Sequence, residues 1–183
     1  MSTLTTPDIS TWNIDSAHSV VEFKVKHMMI SNVKGSFSGI SGTLTEDTSN
    51  PRLSQVDATI DISTINTGDA QRDEHLKSAD FFHHEQHPHM TFHSTRVETK
   101  GEGEYAVTGD LTAHGVTKPV VFAVEGPSAP GKDPWGNTRI GLSATTKINR
   151  KDFGLTWNAT LEAGGILVGE EVQITLEVQL IKS

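Results

Sequence analysis

The sequence of 183 residues has no cysteine, few aromatic side chains and no long apolar run. The lack of cysteine excludes disulfide bonds, thiolate metal sites and a cysteine nucleophile. Because no stretch approaches the apolar length of a membrane-spanning helix, we predict no membrane span. Basic residues are in the minority, with 15 Lys plus Arg against 23 Asp plus Glu and a formal charge of −8. This balance repels phosphate backbones, so we expect no nucleic-acid partner.

Motifs for several kinds of chemistry are also missing. The sequence contains no Gly-x-Ser-x-Gly elbow, phosphate-binding loop or dinucleotide fingerprint. Nucleophilic and nucleotide chemistry therefore lack their usual sequence anchors. Residues 1–8 have neither a basic segment nor an apolar run, so we expect no signal peptide and a cytoplasmic location. The length fits one domain, which we assign to residues 12–183, after an N-terminal extension over residues 1–11.

Strand periodicity dominates the rest of the chain. In residues 171–180, apolar side chains alternate strictly with polar ones, which is typical of a strand with one buried face. The same period of two occurs in residues 21–26 and 56–62. Five further strands are predicted, around residues 37–44, 90–97, 105–111, 120–125 and 139–148. A set of about eight such strands closes naturally into an antiparallel barrel, and a sandwich is the alternative.

Two connections are longer than a hairpin turn. Residues 67–78 predict a short helix, with Thr67 or Asp69 as its N-cap. This charged segment runs into apolar residues that either pin the helix to the core or turn toward a ligand, so the helix is a candidate lid on the barrel. Residues 126–137 are rich in proline and glycine and predict a long surface loop.

A histidine cluster is the one feature that suggests metal chemistry. Five histidines lie within the segment His83–His93. A strand through residues 87–93 would put three of them on one face: His87, His89 and His93. Such a trio could ligate zinc, and a nearby carboxylate would then suggest metal-assisted hydrolysis. Met90 and Phe92 occupy the alternate face, which we expect to be inward, so the trio would face solvent and we favour no metal site.

Short motifs along the chain, taken in order, resemble those of a known family. They are WNIDSAHS at 12–19, FKVKHM at 23–28, VKGSF at 33–37, RDEHL at 72–76, DFF at 80–82, PHMTF at 88–92, GDLTAHGVTKP at 109–119, INRKDFG at 148–154 and VGEEV at 168–172. Each motif alone is weak, but the ordered set resembles the YceI-like family, which is described as lipocalin-like proteins that bind polyisoprenoids and other long lipids.

The resemblance implies a fold and a function. The fold is all-β, an extended eight-stranded antiparallel lipocalin-like barrel with a short helix near its mouth and an elongated apolar channel. The function is binding of a long-chain isoprenoid or fatty amphiphile for transport, storage or sequestration, so we expect a binding protein that is not an enzyme and needs no cofactor. A homodimer is a further implication. Two alternatives stay open: a metal-binding protein or hydrolase that uses the His83–His93 cluster, and a stress-related barrel without a dedicated ligand.

Candidate residues for the apolar channel are inward members of the alternating strands together with further aromatic and aliphatic residues. They are Phe23, Phe37, Ile40, Ile60, Ile62, Leu76, Phe81, Phe82, Phe92, Phe122, Leu142, Phe153, Leu155 and Trp157. A filled barrel core would use the same side chains, so periodicity does not separate ligand contacts from core packing.

A polar mouth would orient the head group of a lipid. We predict that Arg72 binds a phosphate, that Asp73 braces Arg72, and that His75 donates a hydrogen bond to an oxygen of the ligand. The alternative is that Arg72 and Asp73 form a structural ion pair, together with Arg150 and Asp152.

Overall fold

The structure is a computed structural model and describes residues 6–159, 161 and 165–183. Strands make up most of this part of the chain. They are β1 (Ile9–Ile14), β2 (Val20–His27), β3 (Ser31–Phe37), β4 (Ile40–Asp47), β5 (Gln55–Asp61), β6 (Ile65–Asn66), β7 (His89–Gly101), β8 (Glu104–Ala113), β9 (Val116–Glu125), β10 (Gly131–Lys132), β11 (Thr138–Asn149) and β12 (Val168–Lys182), and the helix is α1 (Ala70–Lys77). β1 begins inside the segment that we expected to be an extension.

The strands form one closed antiparallel sheet. β4, β5, β7, β8 and β9 follow one another, β11 pairs with β9, and β12 pairs with β11, β1 and β2. Three strands of the barrel are each interrupted and consist of two segments: β1 with β2, β3 with β4, and β5 with β6. Together with β7, β8, β9, β11 and β12 they make eight strands around the barrel. The predicted eight-stranded antiparallel barrel is confirmed, and the alternative of a sandwich is wrong.

The β12 strand forms the seam of the barrel. Over residues 171–181 it pairs with β11, and on its other side it pairs first with β2 and then with β1. Leu176 lies opposite Ala144 and Val21, and Leu180 lies opposite Ile140 and Ile14. The alternation predicted for this strand therefore directs its apolar residues into the barrel.

One predicted strand is interrupted. We expected a continuous strand over residues 37–44, but β3 ends at Phe37 and β4 starts at Ile40. The Gly39 amide donates to the Thr64 hydroxyl at 3.0 Å, and the Gly39 carbonyl accepts from the amide of Asp61 at 2.8 Å. These bonds take the main chain of Gly39 out of the strand ladder, so the prediction of a single strand is wrong there.

The predicted helix is confirmed, but it is shorter than residues 67–78. α1 begins after Asp69, whose side chain accepts a hydrogen bond from the Arg72 amide at 3.1 Å, so Asp69 is the N-cap. Thr67 lies before the helix, where its amide and hydroxyl donate to the Asp73 carboxylate. In the part of the chain that the structure describes, no helix is long and apolar enough to cross a bilayer.

Candidate functional site

The barrel encloses a cavity of about 580 Å³. This volume lies within the roughly 300–1,000 Å³ of small-molecule sites. The cavity extends along the barrel between two ends, which we name by their surroundings. The helix end lies near α1 and is lined by Leu76, Arg150 and Val168, and the far end lies near Asp47 and Pro127. The wall between them consists almost entirely of aliphatic and aromatic side chains.

Most of the predicted channel residues line this cavity. Twelve of the fourteen do so: Phe23, Phe37, Ile40, Ile60, Leu76, Phe81, Phe82, Phe92, Phe122, Leu142, Phe153 and Leu155. Several of their rings pack edge to face or tilted against each other, as Phe92 does on Phe122 with ring centroids 5.1 Å apart. The structure thus brings these residues together, and their contact with a ligand stays a prediction.

The other two predicted channel residues lie elsewhere. Ile62 is buried behind the wall in a core cluster with Phe37 and Ile40. Trp157 packs against the ring of His75 with centroids 4.8 Å apart and against Phe81 at 5.3 Å. Neither residue is on the cavity wall, because both lie in turns that strand alternation does not describe, and their contact with a ligand stays a prediction.

The predicted polar mouth forms a network of its own. Arg72 donates from Nε to the Thr67 hydroxyl and from Nη2 to the Thr67 carbonyl, each at 2.8 Å. Asp73 accepts from the amide and hydroxyl of the same threonine at 2.9 and 2.6 Å. His75 lies 2.9 Å from Asp80 through Nε2. The bonds of Arg72 and Asp73 tie α1 to the loop before it, and that of His75 ties it to the segment after it. None of the three residues is among the described residues that line the cavity, so head-group binding by them stays a prediction.

Arg150 is the basic group that the described part of the chain brings to the cavity, and it is only 4% exposed. Its guanidinium donates from Nε to the Gly169 carbonyl at 2.8 Å and from Nη2 to the Val168 carbonyl at 3.1 Å. Nη1 donates to the carbonyls of Leu155 at 2.6 Å and Trp157 at 2.9 Å. The predicted alternative, in which Arg150 joins an ion-pair network, is therefore wrong: its partners are main-chain oxygens.

The local chain geometry places Arg150 at the end of β11. Asn149 caps the following turn, because its side chain accepts from the Lys151 amide at 3.0 Å. Gly154 has a φ of 73°, which glycine adopts without strain, and the chain then turns back so that the Leu155 amide donates to the Arg150 carbonyl at 3.2 Å. The turn wraps carbonyl groups around the guanidinium. Burial lowers the pKa of Arg150, and the charge of Glu170 opposes this shift.

The far end carries acidic groups instead. Asp47 is buried, and its Oδ1 accepts from the hydroxyl of Ser49 at 2.6 Å and from the amides of Ser49 and Asn50 at 3.0 Å. These bonds lower the pKa of Asp47. Burial raises the pKa of the neighbouring Glu46, and the nearby Asp8 adds to that shift. The cavity therefore has a guanidinium at one end and carboxyl groups at the other.

The histidine cluster does not form the predicted trio. β7 begins at His89, so the predicted strand through residues 87–93 is wrong at its start. His87 lies in the preceding turn, where its ring contacts His114 with centroids 5.2 Å apart. His93 is exposed on the outer face and forms a hydrogen bond to Asp57, which raises the pKa of His93.

The alternate face of the same strand is as predicted. Met90 and Phe92 both line the cavity, which confirms that they point inward. Within residues 6–159, 161 and 165–183, no group of three His, Asp or Glu side chains is arranged to hold a metal ion.

Comparisons with known proteins agree with this architecture. A UPF0312 protein of Ectopseudomonas mendocina is 43% identical over 139 residues, which cover 76% of this chain and 72% of that protein. The YCEI protein of Campylobacter jejuni has a solved structure that is 33% identical, with a TM-score of 0.71, and the match covers 87% of this chain and 91% of that one.

A third match concerns the fold alone. A polyisoprenoid binding domain from Saccharophagus degradans, implicated in plant cell wall breakdown, is 15% identical with a TM-score of 0.66, and the match covers 94% of this chain and 98% of that one. The family model for the YceI-like domain matches residues 12–180, which is nearly the whole of the barrel described above. With its closed barrel and apolar interior, the chain belongs to the YceI-like domain family.

Proposed function

We propose that this protein binds a long-chain isoprenoid or fatty amphiphile inside the barrel, for transport, storage or sequestration. The observation that carries the proposal is the apolar cavity of about 580 Å³ enclosed by the barrel wall. The fold shared with a polyisoprenoid binding domain supports the same class of ligand.

The energetics favour an apolar chain. Transfer of a CH₂ group from water to an apolar site gains about 0.8 kcal/mol, so a ten-carbon segment gains about 8 kcal/mol before ordering costs are subtracted. Affinity of this size needs no charged contact with the tail. A charged group in the wall then acts mainly on the orientation of the ligand.

Arg150 orients the ligand in this proposal. A guanidinium has five N–H donors, and among the residues that the structure describes four hydrogen bonds to carbonyls are formed, which leaves one donor beside the cavity. The carbonyl partners are neutral, and the carboxylate of Glu170, whose charge acts on Arg150, is shared with Lys151 at 2.7 Å. A ligand whose head group carries an acceptor oxygen therefore binds with that head at the helix end and its tail toward the far end.

The first test measures whether the cavity holds a lipid. Native mass spectrometry of the purified protein, followed by organic extraction, identifies any amphiphile that co-purifies. The delipidated protein is then titrated with a fluorescent polyene fatty acid, with a prenyl alcohol as competitor. A protein that carries no lipid and binds neither probe would refute the proposal.

A pair of variants locates the binding site. Ala144 lines the cavity, whereas Ala123 on the adjacent β9 strand is exposed on the outer face. Ala144→Phe places a ring in the cavity and is expected to weaken binding by tenfold or more, which corresponds to about 1.4 kcal/mol. Ala123→Phe adds the same ring outside and leaves binding unchanged. Equal binding by two folded variants would place the lipid outside the cavity.

A head-group series tests the role of Arg150 without any mutation. Carboxylate, alcohol and trimethylammonium amphiphiles with identical tails compete for the wild-type protein. We expect the carboxylate to bind most tightly and the ammonium to bind least tightly. Equal affinities would leave lipid binding intact but would contradict the proposed orientation.

A further inference from the structure

The hairpin that joins β2 to β3 exposes three consecutive large apolar side chains. Met28 is 42% exposed, Met29 64% and Ile30 81%. Single exposed apolar residues are common on protein surfaces, but a contiguous group at a projecting tip marks a site of interaction. We call these three residues the apolar tip.

The backbone of the apolar tip does not suit its residues. Met28 and Met29 have φ angles of 52° and 62°, and the Ile30 amide donates to the His27 carbonyl at 3.2 Å. Two successive positive φ angles closed by such a bond are typical of a type I′ turn, which favours Asn-Gly. Methionine at both positions is strained, so folding alone does not account for these side chains.

The apolar tip lies at the rim of the helix end of the cavity. Val25 and Val168 both line the cavity, and His27 pairs with Val168 across β2 and β12. The next residue, Met28, donates from its amide to the Leu167 carbonyl at 2.7 Å. Leu167 is the chain neighbour of Val168, so the exposed tip is bonded to the residue next to the cavity wall.

The strands below the tip carry positive charge. Lys24, Lys26 and Lys34 alternate with the inward-facing residues of β2 and β3, so they lie on the outer face of the hairpin. Among the residues that the structure describes, none of the three lysines forms an ion pair. Residues 20–37 contain only one acidic residue, Glu22, although the whole protein has a formal charge of −8.

We propose that this hairpin docks the protein on an anionic lipid bilayer. Met28, Met29 and Ile30 enter the boundary between head groups and acyl chains, and the three lysines contact anionic head groups. Docking holds the helix end of the cavity against the membrane. This inference goes beyond ligand binding, because docking requires no ligand in the cavity.

The experiment measures flotation of the full chain with vesicles of phosphatidylcholine, with and without phosphatidylglycerol. We expect the wild type to bind the vesicles that contain phosphatidylglycerol and to bind pure phosphatidylcholine much less. Replacing Lys24, Lys26 and Lys34 together by glutamine is expected to weaken binding roughly a hundredfold, since each basic residue near an anionic surface contributes severalfold. Equal binding to both kinds of vesicle would overturn the electrostatic part of the proposal.

The decisive variant combines Met28→Asn with Met29→Gly. Because Asn-Gly suits the turn, the variant should unfold at the same or a higher temperature than the wild type, while it loses vesicle binding. The matched control is Trp135→Ser, which removes a side chain that is 78% exposed in the loop at the far end. Wild-type flotation by a folded Asn-Gly variant would overturn the proposal, and so would loss of binding in the Trp135 variant alone.

A second readout separates docking from self-association. Sedimentation velocity of the wild type and of the Asn-Gly variant, both without lipid, gives the oligomeric state. The proposal expects the same state for both proteins. A wild-type dimer that becomes a monomer in the variant would assign the tip to an interface between two copies of the chain and overturn membrane docking.

Discussion

Arg150 offers the most direct test of how the helix end is built, through the substitution Arg150→Met. Methionine keeps the length and apolar stem of the side chain but removes all the donors. Four carbonyls, those of Leu155, Trp157, Val168 and Gly169, lose their hydrogen bonds. At about 1 kcal/mol for each hydrogen bond, the free energy of unfolding should fall by about 4 kcal/mol. A loss of this size is a large part of the stability of a typical domain.

The measurement is equilibrium unfolding in urea, followed by circular dichroism and fluorescence. The control is Lys151→Met at the next position, where an exposed lysine pairs with Glu170 at 2.7 Å. An exposed ion pair contributes little, so this variant should lose at most about 1 kcal/mol. If Arg150→Met also loses less than about 1 kcal/mol, the reasoning that carbonyl bonds hold the turn after β11 is refuted.

Two further predictions concern packing and pH. In Gly35→Ala, the new Cβ would lie 2.3 Å from the Phe23 ring, so the ring must move toward the cavity. We expect a loss of about 1–3 kcal/mol in unfolding free energy and weaker lipid binding. At Gly131 the described residues place no atom within 4 Å of an added Cβ, so Gly131→Ala should match the wild type, and equal losses in both variants would contradict the packing argument. Burial works to raise the pKa of Asp133, but hydrogen bonds from Arg139 and neighbouring groups outweigh it and lower the pKa from 3.8 to about 2. Because the folded pKa is depressed, this carboxylate stabilises the protein above pH 3.8 and the stabilisation is lost as the pH falls toward 2. The free energy of unfolding should therefore fall less in Asp133→Asn than in the wild type as the pH is lowered from 3.8 toward 2. An equal fall in both proteins would refute this assignment.

The strands were predictable because one physical requirement produces their pattern. A closed barrel buries one face of every strand, and the period of two in residues 172–180 records that face directly. Phe92 and Phe122 could be assigned to the interior for this reason. The same pattern does not distinguish a cavity from a filled core, since both require apolar side chains at inward positions. The pattern therefore does not predict the cavity or its volume, which only the structure shows.

The turns were less predictable, because their geometry depends on main-chain partners. Arg150 follows β11 and binds four carbonyls from the segment 155–169, and a carbonyl group leaves no signature in the sequence. Trp157 lies in that segment and turns to His75 rather than to the cavity. The sequence did contain one signal: Arg150 lies between a predicted strand and Phe153. A charge buried at such a position requires hydrogen-bonding partners.

The β12 seam has a consequence for the order of synthesis. Residues 168–182 pair with β1, β2 and β11 at once, so the barrel wall has a gap until the ribosome has made this strand. Before then, the edges of β1, β2 and β11 that pair with β12 are unpaired, and the other strands do not yet form a closed barrel. A cargo can therefore be enclosed only after translation of the seam, and a chaperone that shields the unpaired strand edges would act in the interval before closure.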